Sequence, residues 1–202
     1  MSLQQRFARY VTNLVVRAPF LWRFFRGTMR RQFDRLAPVW DSTRVDPEKL
    51  APLQAALESL PDPPARVLDV GTGTGVAARL VASLFPDADV TGVDTSPGMI
   101  EEARRLSTGQ QYDVADAAKL PFGDASFDLV TLNNMIPFFN EIARVTAPGG
   151  TVAICYTRGA ETPIWVPPER VQNELVSRGF AHVADFPVGP GIAVLARKDE
   201  VA

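Results

Sequence analysis

Val67-Leu68-Asp69-Val70-Gly71-Thr72-Gly73-Thr74-Gly75, residues 67–75, is the stretch that decides the fold. Its first four residues form a short apolar run, the pattern of a strand buried on both faces. Alternating glycines then let the chain turn sharply and let a ligand approach the backbone. Residues 76–85 continue with a helical pattern. Outward from this unit, strands alternate with helices. Strands are expected at 90–93, 110–114, 127–132 and 151–156, with helices at 97–106, opened by Ser96 and Pro97, at 137–145, stopped by Pro148-Gly149-Gly150, and at 167–178. Two last strands, 180–186 and 192–197, flank a turn at 187–191 and read as a hairpin. Such alternation predicts an α/β protein: a doubly wound parallel sheet with helices on both faces and an antiparallel edge.

Three acids stand at the ends of successive strands. Asp69 lies two residues before the first glycine, Asp94 ends the second strand and Asp116 follows the third. An acid at the position of Asp94 can accept hydrogen bonds from both ribose hydroxyls of an adenosine ligand. A carboxylate at 69 repels a pyrophosphate and suits an ammonium group, and one at 116 can accept a proton from an adenine amino group. The glycine spacing is GxGxG (71, 73, 75) rather than GxGxxG. The set therefore favours a cationic, phosphate-free nucleoside such as S-adenosylmethionine (SAM) over a nicotinamide dinucleotide.

The 202 residues, 46% hydrophobic and 22% charged, suit one globular domain with an appendage. A single cysteine, Cys155, excludes an intrachain disulfide framework and a cysteine zinc cage, and points to a reducing, cytoplasmic compartment. A single histidine, His182, excludes multi-histidine metal sites, so no metal is expected. No membrane-spanning or secretory segment is expected, because Arg17, Pro19 and Arg23 interrupt the apolar stretch at 10–25.

The net charge of −2 conceals an asymmetry. Residues 1–35 hold eight arginines and one acid, Asp34, a balance of +7; the rest of the chain carries −9. The division expected is a basic, aromatic helical arm at 1–45 and a ligand-binding domain at 46–202. In the arm, Leu3, Phe7, Tyr10, Val11, Leu14 and Val15 repeat at helical spacing, and Phe20, Leu21, Phe24 and Phe25 begin a second apolar face. Asp46 reads as the N-cap of a further helix with a stripe of Leu50, Leu53, Leu57 and Leu60. Three roles fit the arm: a cap over the ligand site, contact with an anionic membrane surface, and phosphate contacts with nucleic acid. The cap is favoured and the membrane second; no nucleic-acid motif accompanies the charge.

Four segments in order, VLDVGTGTG (67–75), VTGVDTSPGMIEEAR (90–104), DAAKLPFGDASFDLVTLNN (116–134) and EIARVTAPGG (141–150), resemble class I SAM-dependent methyltransferases, closest to the methyltransferase type 11, ubiquinone/menaquinone group. The resemblance implies a Rossmann-like seven-stranded sheet of order 3-2-1-4-5-7-6 with strand 7 antiparallel. It also implies cofactor contacts. Asp69 with the backbone of Gly71, Thr72, Gly73 and Gly75 would hold the methionine end, and Asp94 the ribose. Thr95 and Met99 would lie beside the adenosine, Asp116 and Ala117 would bind adenine, and Asn133 would approach the methionine portion. Trp40 stands where relatives place a tyrosine that reaches the cofactor. The segment between 156 and 168 lacks the insertion that builds a substrate lid in many relatives.

The activity implied is in-line methyl transfer to a small, lipophilic acceptor, releasing S-adenosylhomocysteine. Positioning supplies much of the rate of such a displacement. No residue stands out as a general base. Asn134, Met135, Phe138, Tyr156, Arg158 and Trp165 are candidates to line the acceptor pocket, though Met135 and Phe138 fit core positions equally well. Two other function classes remain: a nicotinamide-dependent oxidoreductase, disfavoured by GxGxG and Asp69, and a non-catalytic SAM-fold binding or membrane-associated partner module.

Overall fold

The computed structural model describes residues 3–44 and 47–200. Seven strands form one sheet: β1 (Arg66–Val70), β2 (Asp89–Asp94), β3 (Gln111–Val114), β4 (Phe127–Asn133), β5 (Thr146–Tyr156), β6 (Phe180–Val188) and β7 (Gly191–Lys198). Their order is β3-β2-β1-β4-β5-β7-β6. The first five pair in parallel, and β7 runs antiparallel to both β5 and β6. The topology is the one the family resemblance implies, and β6 and β7 form the expected hairpin.

Alternation along the strands sorts side chains into two cores. Leu68, Val70, Val93, Val130, Leu132, Val152 and Ile154 face one side of the sheet, under α7 (Phe139–Val145) and α8 (Pro168–Val176). Val67, Val90, Leu129, Ala153 and Cys155 face the other, under α4 (Ala51–Glu58), α5 (Val76–Leu84) and α6 (Pro97–Arg105). Burial on both faces is why these strands are continuous apolar runs.

Several boundaries differ from the expectation, each for a local reason. β5 begins at Thr146, so Pro148-Gly149-Gly150 lies within the strand rather than before it. The register with β4 jumps there, from Phe127↔Thr146 to Leu129↔Thr151, and Gly149 at φ +73° absorbs the irregularity. The leucine stripe at 50–60 divides between a 3-10 turn (Pro47–Leu50) and α4, with Leu53 and Leu57 fully buried. Its expected cap, Asp46, lies outside the described residues.

The arm comprises α1 (Leu3–Arg17), a 3-10 turn (Pro19–Leu21) and α2 (Trp22–Leu36), followed by α3 (Trp40–Arg44). Val11, Val15, Val16 and Trp22 are buried in the same core as β1 and β4. Of the apolar face expected from Phe20, Leu21, Phe24 and Phe25, Phe25 packs on that core and Leu21 is half-buried, but Phe20 and Phe24 are 64% and 63% exposed, while Trp22 between them turns inward. Phe7 and Tyr10 on α1 are exposed as well. Periodicity finds the amphipathic stripe, but the hydrogen-bond partner awaiting the Trp22 indole selects which side docks.

Candidate functional site

The carboxyl ends of β1, β2, β3 and β4 converge on one edge, the crevice where open α/β sheets bind ligands. β1 delivers Asp69 beneath the glycine loop, between Gly92 of β2 and Thr131 of β4. The carboxylate is 1% exposed and accepts from Thr131 Oγ1 at 2.8 Å. Burial pushes its pKa up to about 6, against the pull of the Thr131 hydroxyl.

The loop itself needs its glycines. Gly71, Gly73 and Gly75 have φ of +74°, +55° and +82°. Gly71 N–H and Thr72 N–H donate to the Val93 carbonyl at 2.8 and 2.9 Å, which folds the loop over the end of β2. A Cβ on Gly71 would fall 2.7 Å from Met135 Sδ, and one on Gly75 would meet the Tyr112 ring. At Gly73 a Cβ meets no atom within 4 Å, so this glycine faces open space.

Asp94 closes β2. Its Oδ2 accepts from Gly73 N–H at 3.1 Å and its Oδ1 from Ser96 N–H at 2.9 Å. Burial raises its pKa, and these two amides oppose the rise. Ser96 caps α6 by accepting from Met99 N–H at 3.2 Å. Thr95 is half-buried beside it, whereas Met99 is 1% exposed on the inner side of α6. Ala117 is 5% exposed.

Asp116 is engaged by the arm. Its Oδ1 accepts from Trp22 Nε1 at 2.8 Å and from Ala118 N–H at 3.0 Å, and Arg26 Nη1 stands 3.0 Å from Oδ2. Three acceptances leave about one of the carboxylate's four lone-pair sites. A nucleobase amino group at this position must take that site or displace the arm. The arm also reaches α6, where Asp34 Oδ1 accepts from Ser96 Oγ at 2.6 Å and from Gly98 N–H at 3.1 Å. Asp41 of α3 accepts from Thr74 Oγ1 at 2.5 Å and pairs with Arg79 at 3.4 Å. Trp22, Arg26, Asp34, Asp41, Thr74, Arg79 and Tyr112 are absent from the sequence-based set. Of these, Asp34 carried a signal in the sequence as the lone acid of residues 1–35.

The acceptor candidates lie in different settings. Asn134, at φ +55°, is locked to Thr157, accepting from its N–H at 3.0 Å and donating to its hydroxyl at 3.1 Å. Phe138 is buried edge-on to Trp22, with ring centroids 5.7 Å apart. Tyr156 is fully buried, 5.0 Å from the Trp165 ring, and burial raises its phenol pKa. Met135 covers Gly71, and Arg158 is exposed in an ion pair with Glu161 at 2.9 Å. Trp40 stands edge-on to Phe33 at 5.7 Å.

Among the described residues, four buried side-chain polar atoms have no hydrogen-bond partner: Asp69 Oδ2, Thr72 Oγ1, Asn133 Oδ1 and Tyr156 Oη. All four belong to the carboxyl ends of β1, β4 and β5 or to the glycine loop. Orphaned buried polar groups are rare and need a reason. A polar ligand portion bearing donors and acceptors, such as an amino acid, fits this set.

Residues 68–154 match the family model described as a methyltransferase domain. Over residues 68–154 the chain carries a SAM-dependent methyltransferase domain. The chain is 35% identical over 134 residues to the trans-aconitate 2-methyltransferase of Methylobacterium nodulans, covering 61% of this chain and 52% of that protein. It is 36% identical over 148 residues to the malonyl-[acyl-carrier protein] O-methyltransferase of Halorhodospira halophila, covering 68% and 50%. To the demethylmenaquinone methyltransferase of Thermus thermophilus it is 38% identical over 102 residues, covering 45% and 46%. The chain thus spans about half the length of the curated relatives it matches. In fold, the methyltransferase domain resembles a SAM-dependent methyltransferase from Aquifex aeolicus, with a TM-score of 0.62 at 21% identity, covering 75% of this chain and 93% of that one. No helix among the described residues is long and apolar enough to cross a membrane.

Proposed function

We propose that the protein transfers a methyl group from SAM to a small, lipophilic acceptor. The observation that carries this reading is that Asp69 and Asn133, on one face of the sheet, and Thr72 of the glycine loop keep unpartnered buried polar atoms near the edge where the loop meets Asp94. The residues suit the cofactor by chemistry. Asp69, Thr72 and Asn133 offer acceptors and a hydroxyl to an α-amino acid end, and Asp94 offers carboxylate oxygens to ribose hydroxyls. Gly73 leaves its side open for close approach. The cofactor supplies an activated methyl group on a sulfonium, so the protein's work is to bind, orient and exclude water.

The chain's own groups support a displacement without a strong base. Cys155 is fully buried, its thiol pKa raised by burial and by Asp69. His182 is exposed on β6, the edge strand beyond β7. Neither offers a nucleophile or base at the β1–β4 edge. The names of the relatives, trans-aconitate, malonyl-acyl carrier and demethylmenaquinone methyltransferases, favour a small-molecule acceptor. The apolar surroundings of Tyr156, Trp165 and Met135 favour a lipophilic one.

Calorimetric titration with SAM and with S-adenosylhomocysteine tests the reading. Micromolar binding of both is expected, with Asp94→Ala weakening each at least tenfold. Unchanged affinity in Asp94→Ala would overturn the cofactor assignment.

A further inference from the structure

The arm is held firmly on its inner side. Beyond the contacts to Asp116 and α6, the Arg9 guanidinium donates to the carbonyls of Ala160 and Thr162, each at 2.6 Å. What it shows to solvent is therefore a built surface. Phe7, Tyr10, Phe20 and Phe24 are 58–64% exposed, and the other exposed large hydrophobic side chains described are all valines. Every exposed aromatic described thus lies within residues 7–24. Singly exposed apolar residues are ordinary, but four exposed aromatics on one short arm mark an interaction surface.

The arrangement is ordered. Phe7, Tyr10, Leu14 and Arg17 follow helical spacing along α1, and a surface hollow of about 270 Å³ is lined by Tyr10, Asn13, Leu14 and Arg17. Phe20 and Phe24 stand one turn apart where α2 begins, with the Arg23 guanidinium 4.6 Å from the Phe24 ring centre. Arg17, Arg23, Arg30 and Arg31 are exposed, and no described acid pairs with them. The first acid in the sequence is Asp34, already spent on α6.

We propose that the outward face of α1 and α2 docks on an anionic lipid bilayer. Amphipathic helices with arginines and large aromatics lie in the plane of the headgroups, with rings at the acyl boundary and cations at the phosphates. Each arginine near an anionic surface strengthens binding roughly fivefold. Leu14, half-buried beside Tyr10 in the hollow, suits contact with hydrocarbon better than stacking on bases. Trp22 lies between Phe20 and Phe24 and holds Asp116. Docking would therefore set the mouth of the candidate site at the bilayer, where a lipophilic acceptor dissolves. That consequence rests on the methyl-transfer reading; the docking surface does not.

Co-sedimentation of the full chain with phosphatidylcholine vesicles, with and without phosphatidylglycerol, tests the surface. Binding is expected only to the anionic vesicles and should weaken steeply with salt. The pair Phe20→Ser/Phe24→Ser should lose about tenfold or more in vesicle affinity, and the pair Arg17→Glu/Arg31→Glu at least as much. Both should keep the far-ultraviolet circular dichroism and the SAM titration of the parent, which separates loss of docking from loss of fold or of the cofactor site. Equal partition to neutral vesicles, no partition, or full binding by the phenylalanine pair would overturn the proposal. Tighter binding of a single-stranded oligonucleotide than of anionic vesicles would overturn it too and assign the face to nucleic acid.

Discussion

Asp69 and Asp94 sit on neighbouring strands, the first buried and the second half-buried, and burial raises the pKa of each. For Asp69 the sign of the effect on stability follows from its folded pKa of about 6, above the ordinary value of 3.8. Below 3.8 both folded and unfolded chains hold the proton. As pH rises through about 6 the unfolded chain has already released it, so stability falls. The penalty at neutral pH is on the order of 3 kcal/mol. Asp69→Asn should therefore melt higher than the parent at pH 8 and about equally at pH 4, a difference that paired thermal scans would show. The same substitution should weaken SAM binding, because the neutral amide can still accept a hydrogen bond from an ammonium group but no longer offers it a counter-charge. A buried carboxylate kept at such cost points to ligand binding rather than to stability.

At the scale of elements, the loop and the arm yield opposite predictions. Gly73→Ala strains a left-handed backbone but meets no neighbour, so it should cost roughly 1–2 kcal/mol in urea unfolding. Its larger effect should be on SAM affinity, since the methyl group enters the open side of the loop. Gly75→Ala adds a collision with Tyr112 to the same strain and should destabilise the fold markedly more. On the arm, Asp34→Ala removes an acceptor from Ser96 Oγ and Gly98 N–H, and should cost about 1–2 kcal/mol by the same measurement. The loop was legible because glycines at 71, 73 and 75 announce positive φ. The contacts of Asp34, Asp41 and Trp22 were not, because each partner lies at least 33 residues away and no local pattern encodes it.

The whole molecule joins the arm to the sheet through one continuous core. Val11, Val15, Val16 and Trp22 pack with Leu68, Val70 and Phe138, so the arm contributes to the same cooperative unit. A chain lacking residues 1–35 should expose that patch, lower the melting temperature by several degrees and bind the dye ANS, with calorimetry and fluorescence as the checks. If it retains its fold, Asp116 loses Trp22 and Arg26, and SAM should associate faster in stopped-flow mixing. Slower or unchanged association would show that the arm builds the adenosine side of the site rather than covering it.

The order of the strands in the sheet came with the family resemblance, whereas the succession of strands and helices, the glycine loop and the acids at the ends of β1 and β2 were legible in the sequence itself. Their signals are local: apolar runs, turn residues and charge at a strand end, repeated in one order along the chain. The tertiary structure alone decided which side of the arm docks. Periodicity marks an apolar stripe at Phe20 and Phe24 as readily as at Trp22, and only the indole N–H meets a buried-edge acceptor, Asp116. It alone also brought Asp69, Thr72, Asn133 and Tyr156 to one edge with unpaired polar atoms. Whether a polar atom is satisfied depends on neighbours from distant strands, and that is a property of packing rather than of sequence.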